Sequence, residues 1–167
     1  MFRWLNTPHV NKWYTLYGKK SPSQEDVRRK YSPRINGEDP TTCYLIIYDG
    51  MPIGHVQSCR LDDYPAAKAM FDLNENVAGV DIFIGEEDYI HLGLGSTIIK
   101  KFLKEVVFIN YDVACCIVDP DPKNEVAVKS YSKVGFKHVK TIWNQEDAVY
   151  AYIMSINRDE VCPGKGV

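Results

Sequence analysis

Apolar and polar positions along the chain alternate with a period of two in some stretches and with a helical period in others. Residues 43–48, CYLIIY, and 51–61, MPIGHVQSCRL, read as two strands joined by Asp49-Gly50, a pair favoured in two-residue hairpin turns. Residues 78–85, AGVDIFIG, read as a third strand, with Val80, Ile82 and Ile84 on one face and Asp81 and Phe83 on the other. In the next apolar run Ile99, Phe102, Leu103, Val106 and Val107 recur at helical spacing, with Lys100, Lys101 and Lys104 opposite them. Residues 113–118, VACCIV, form a short buried strand that Asp119-Pro-Asp-Pro cannot continue. A second amphipathic helix spans about residues 124–134 and ends at Gly135, a left-handed cap. HVKTIW and AVYAYIMSI read as the last two strands.

The front of the chain is less regular. Residues 1–17 read as the end of one helix followed by an aromatic-rich turn, and Ser23 with Asp26 caps a short helix, SQEDVRRKY. Residues 62–76 read as a polar connection. The predicted order is helix, helix, hairpin, strand, helix, strand, helix, strand, strand. That is an α/β domain with a mixed sheet, in which one crossover makes the strands of Asp81 and Cys115 parallel neighbours. A single domain is expected over residues 1–157, with residues 158–167 a disordered tail.

Composition narrows the function classes. Of 167 residues, 45% are hydrophobic and 25% charged, which is a globular balance, and the formal net charge of −2 gives no general attraction to nucleic acid or anionic membranes. No apolar stretch approaches the ~20 residues of a membrane span. Five cysteines without CxxC spacing point to reduced thiols in the cytoplasm, and four scattered histidines point to no metal site. Charge is nevertheless uneven: residues 61–90 hold eight acids against Lys68 alone, so a cationic ligand would be welcome there.

Asp81 is the anomaly within the third strand. A carboxylate in apolar surroundings is costly unless paired, so it is an exposed residue, a satisfied structural acid or part of a site. Two motifs follow it. Gly93-Leu94-Gly95 joins a strand to a helix, where backbone N–H groups and the helix N-terminus suit a pyrophosphate. It lacks the last glycine of a dinucleotide fingerprint and the GK[ST] of a P-loop. The second motif, residues 124–136, has the spacing N-x-x-A-x-x-x-Y-x-x-x-G-F and sets Ala127, Ser130, Tyr131 and Val134 on one helical face.

The two motifs, in this order and one strand apart, resemble the GNAT acetyltransferase superfamily over residues 42–156. The resemblance implies a mixed, mostly antiparallel sheet flanked by helices, with a splayed parallel central pair, and acetyl-CoA as co-substrate. Leu92, Gly93, Leu94, Gly95, Ser96 and Thr97 would bind its pyrophosphate, and Asn124 and the backbone of Phe83 and Ile84 its pantetheine. Lys133 would lie near the phosphates, and Tyr131 would protonate the departing thiolate. Ile90 stands where the family usually has Gln or Arg ahead of the glycine loop.

Within that superfamily the chain is similar to the aminoglycoside 6′-N-acetyltransferases, through WLNTPHVNKW, MPIGHVQS, GVDIFIGEEDY, GLGS and VDPDPKNEVAVKSYSKVGF. This implies acetylation of an amine on a polycationic small molecule by direct transfer, with Asp81 as base or ammonium binder. It also implies acceptor contacts from Trp13, Tyr14 and Asp119, with Glu146 and Asp147 as offset substitutes for a further acid. A first strand that such enzymes carry is missing ahead of Met1, which implies either an exposed sheet edge, as monomer or homodimer, or a start lying upstream. The competing readings are a GNAT acting on a siderophore, polyamine or peptide amine, and a silent acetyl-CoA-binding module. Siderophore enzymes of this type carry histidine where Asp81 stands.

Overall fold

The computed structural model describes residues 1–18, 21–72, 76–144 and 149–163. Its six strands form one sheet in the order β1 (Thr42–Tyr48), β2 (Met51–Arg60), β3 (Val77–Ile84), β4 (Cys115–Val118), β6 (Val149–Asn157) and β5 (Lys137–Asn144). Every neighbouring pair is antiparallel except β3 and β4. Asp49 and Gly50 both have positive φ, 47° and 78°, as a two-residue turn between twisted strands requires.

The parallel ladder is short. It joins Val77 to Cys115, Ala78 to Cys116 and Gly79 to Ile117, and then stops. Beyond Gly79, β3 stays paired to β2 as far as Ile84, while β4 stays paired to β6 through Val118. Pro120 prolongs that choice, since its carbonyl accepts from the Tyr152 N–H at 2.9 Å and draws the chain along β6. The two central strands therefore part, and a cleft opens between them.

Helices cover both faces. α5 (Leu94–Phe102) runs through a π-helical turn at Leu103–Val107 into α6 (Phe108–Asn110), and α7 (Glu125–Val134) lies beside it. Ile99, Phe102, Leu103 and Val107 are buried in one cluster with Val80, Tyr131 and Phe136, so the helical periodicity read from the sequence marks the packed face. On the other side, α1 (Phe2–Leu5), α2 (Pro8–Asn11) and α3 (Gln24–Asn36) bury Leu5, Val10, Leu16, Val27 and Tyr31. Ser23 and Asp26 form the expected capping box of α3. That helix is longer than SQEDVRRKY, passing through Pro33 to a left-handed cap at Gly37.

Two expectations are corrected. The polar connection contains a helix, α4 (Pro65–Phe71), opened by Pro65 and anchored by buried Phe71. Three alanines and one lysine leave its apolar face too faint for periodicity to register. Of the expected tail, residues 164–167 lie outside the described residues, while residues 158–161 form α8 (Arg158–Val161), with a capping box between Asn157 and Glu160 and Val161 buried in the main cluster. Arg158 ties it down by donating to the carbonyls of Tyr111 and Val113 at 2.6 and 3.0 Å.

Candidate active site

Asp81 stands two residues beyond the last parallel pair, where β3 has lost β4 as a neighbour. Its side chain faces a cavity of about 210 Å³ lined by Arg34, Gln57, Tyr64, Gly79 and Asp119 among others. Asp119 arrives from the far side of the cleft, one residue past the end of β4. The parting of β3 and β4 thus leaves Asp81 and Asp119 lining one cavity.

Asp81 is held rather than loose. Gln57 lies directly across from it in the β2–β3 register, and its Nε2 donates to Asp81 Oδ2 at 2.6 Å. Arg34 Nη1 donates to Gln57 Oε1 at 2.7 Å. The same Gln57 amide reaches the Tyr14 hydroxyl at 3.4 Å, which lies 3.3 Å from that of Tyr31. Arg34 is steadied by Asp39 at 3.6 Å, and Asp39 accepts from the Tyr64 hydroxyl at 2.6 Å and the Thr41 N–H at 2.8 Å. Burial opposes charge on Asp39, yet Tyr64, Thr41 and Arg34 together hold its carboxyl below the usual range.

Tyr131 comes from α7 and is buried against Phe136, with ring centroids 5.6 Å apart. Burial first, then the charges of Asp81 and Asp119, push its phenol well above the ordinary tyrosine range. A phenol so placed keeps its proton and stands as a hydrogen-bond donor.

The glycine loop leads into α5 and lies beside α7. Gly93 takes a left-handed φ of 75° and delivers the chain to the first turn of α5, while Leu92 is exposed. Gly95 faces Ser130 of α7, so the loop packs against the same helix that carries Tyr131. Ser96, Thr97 and Lys133 line an open groove of about 390 Å³ together with Lys100, Lys101 and Lys104. Glu105 is the acid there and pairs with Lys101 at 3.8 Å. Orphan N–H groups of a helix N-terminus beside several ammonium groups make a strongly anion-binding surface.

The other expected contacts divide. Asn124 caps α7, its Oδ1 accepting from the Ala127 N–H at 3.2 Å, so the NH₂ half of its amide is what it can offer a ligand. The Phe83 carbonyl is turned against Gly54 of β2; by strand alternation Ile82 and Ile84 present their backbone to the open edge instead. The Ile84 carbonyl there accepts from His9 Nε2 at 3.1 Å. Trp13 does not line the cavity; it lies at the surface under the Lys12 ammonium, 4.5 Å from its ring centre. Its neighbour Tyr14 points inward to Gln57. Glu146 and Asp147 lie outside the described residues.

Sequence reasoning missed Arg34, Gln57 and Tyr64, and noted Lys100, Lys101 and Lys104 only as the face opposite the apolar one. The period of two in MPIGHVQS does place Gln57 on one face of β2, but its partner across the ladder depends on register. Much of the acidic block proves to be internally paired: Asp62 with Lys68 and Arg60, Glu86 with Arg3 and the Trp4 indole, Asp72 with Lys140.

Comparison with known proteins bears on the family and the fold. The family described as Acetyltransferase (GNAT) domain matches residues 1–143. Aminoglycoside N(6')-acetyltransferase type 1 of Klebsiella pneumoniae is 28% identical over 152 residues, spanning 90% of this chain and 74% of that protein. A solved structure of AAC(6')-Ib in complex with ribostamycin and coenzyme A superposes with a TM-score of 0.81 at 23% identity, over 99% of this chain and 90% of that one. Spermidine N-acetyltransferase from Vibrio cholerae, in complex with CoA and spermine, superposes at 0.72 with 14% identity, over 96% and 89%.

Proposed function

The chain belongs to the GNAT acetyltransferase family, and from that premise we propose that it transfers an acetyl group from acetyl-CoA to an amine of a polycationic, aminoglycoside-type small molecule. The observation that carries this reading is the pair Asp81 and Asp119 facing one cavity, with Tyr131 near enough to feel both charges. An acceptor amine arrives as an ammonium, and two carboxylates in a partly dry cavity attract and orient it. The similarity to aminoglycoside N(6')-acetyltransferases at 28% identity supports that acceptor class.

On this reading the groove of Lys100, Lys104 and Lys133 receives the phosphates of acetyl-CoA, with the first turn of α5 supplying N–H donors. The open edge of β3 at Ile82 and Ile84 takes the pantetheine arm. Asp81 holds the ammonium and accepts its proton, directly or through a water. The neutral amine attacks the thioester carbonyl carbon, a C–N bond forms, and the C–S bond breaks. Tyr131 passes its proton to the departing thiolate as the nitrogen, on becoming an amide, sheds a proton that restores the phenol, so the phenol is never left ionised.

Thiol release from acetyl-CoA, measured with kanamycin, tobramycin, spermine and a short peptide, tests the proposal. Turnover greatest with the aminoglycosides is expected. Preference for spermine or the peptide would move the acceptor class, and tight CoA binding with no turnover on any amine would make the chain a silent binding module.

A further inference from the structure

Arg34 is 14% exposed at its side chain, lines the acceptor cavity, and belongs to α3 rather than to either of the parting strands. A guanidinium beside Asp81 would be expected to pair with it and cancel the charge an ammonium needs. It does not, because Gln57, itself buried, stands between them. A guanidinium only donates and an ionised carboxylate only accepts. The Gln57 amide therefore has one orientation that satisfies both ends, oxygen to Arg34 and nitrogen to Asp81. We infer that Arg34 and Gln57 act as one positioning unit for Asp81, in which the guanidinium fixes the amide and the amide fixes the carboxylate without neutralising it. This rests on the assignment of Asp81 to the acceptor amine.

Three features support the inference. The chain of donors runs one way, from Arg34 through Gln57 to Asp81, so each bond strengthens the next in a low-dielectric cavity. Arg34 is itself fixed from behind by Asp39, which Tyr64 and Thr41 hold in turn. With Oδ2 occupied by Gln57, the other carboxylate oxygen of Asp81 is the one presented to an incoming group. Arg34 thus touches no reacting atom and acts on the reaction through two other side chains.

The test has a kinetic and a spectroscopic arm. Arg34→Met and Gln57→Leu are each expected to lower kcat/KM for tobramycin about tenfold, the usual size of a lost hydrogen bond to a charge. The double variant should fall about tenfold as well, not hundredfold, because both changes break one chain. KM for acetyl-CoA and the melting temperature should stay near wild type, and Arg34→Lys, which keeps a donor, should recover part of the loss. Multiplicative losses, or losses that follow the melting temperature, would overturn the inference. In the second arm, the Gln57 side-chain NH₂ protons, followed by NMR without any acceptor, should be protected from exchange in wild type and lose protection in Arg34→Met. Protection unchanged in Arg34→Met would also overturn it. A wild-type enzyme that acetylates no amine would refute the proposed function, and the NMR arm would still decide whether the unit exists.

Discussion

Gly79 of β3 and Ile117 of β4 are the last residues paired across the parallel ladder, and Asp81 stands two residues further on, at the mouth of the opening they leave. Replacing Asp81 with Asn keeps the shape and removes the charge. Such a variant is expected to retain acetyl-CoA affinity and lose at least about tenfold in kcat/KM for amines, as removal of a general base usually costs. Steady-state kinetics with both substrates varied checks this, and a near-wild-type Asn variant would end the role.

Tyr131→Phe removes a buried hydroxyl and leaves the ring packed on Phe136. Turnover should fall by about tenfold or more, with the KM for the amine largely unchanged. The push of the phenol well above its ordinary range has a second consequence: no loss of rate from Tyr131 ionisation should appear on the alkaline side of the pH profile. An unchanged kcat would mean that the thiolate leaves without help.

His55 is buried between Tyr31 and Phe83, and neither ring nitrogen has a hydrogen-bond partner among the described residues. Burial first, then the charges of Arg34, the N-terminus and Lys30, lower its pKa to about 4. The unfolded chain takes up that proton near pH 6.5, so the unfolded state binds more protons over this window. The contribution of His55 to stability is therefore complete above pH 6.5 and lost as pH falls toward about 4, a change of about 3 kcal/mol. Urea unfolding of wild type and His55→Phe across pH 4 to 8 (~1 unit steps suffice) should show the wild-type curve dropping more steeply on the acid side.

Lys100, Lys104 and Lys133 share the groove that the proposal gives to the acetyl-CoA phosphates. Lys100→Glu combined with Lys133→Glu should raise the KM for acetyl-CoA by about tenfold at low salt, with the effect shrinking as ionic strength rises. The kcat at saturating acetyl-CoA should change little. A KM indifferent to both lysines would place the phosphates elsewhere.

Gly85 ends the GVDIFIG run, and the Trp4 indole lies flat against it while its N–H donates to Glu86 at 2.7 Å. A methyl group there would overlap the indole ring. Gly85→Ala is expected to cost about 1–3 kcal/mol by overpacking, read as a lower urea midpoint with unchanged slope. Full stability would show that α1 shifts freely on the sheet.

What was legible in the sequence divides along a physical line. Local chemistry was readable: the Asp49-Gly50 turn, the Ser23–Asp26 capping box, the Gly135 cap and the buried face of α5 all depend on residues a few positions apart. The Gly93 loop and Tyr131 were singled out because each belongs to a short local motif, and the two motifs in order carry the family resemblance. Register was not readable. Gln57 meets Asp81 only because His55 pairs with Phe83 and the hairpin has a defined twist, and Arg34 reaches Gln57 only because α3 runs past the motif that announced it. Trp13 and Tyr14 show the limit most simply, since adjacent aromatics took opposite fates, one at the surface and one turned inward to the Gln57 amide.

The parting of β3 from β4 also divides the labour of the chain. The acceptor cavity is walled by Arg34 of α3, by β2 and the turn that follows it, and by Asp81 and Asp119, whereas the groove that would hold the donor's phosphates is built from residues 96–134. β3 serves both, through the side chain of Asp81 and the open backbone edge at Ile82 and Ile84. Changes in α3 or the hairpin can therefore reshape which amine is admitted while the thioester-binding half stays as it is. A single scaffold of this kind can diversify its acceptors by drift in its first sixty or so residues, with the chemistry inherited intact.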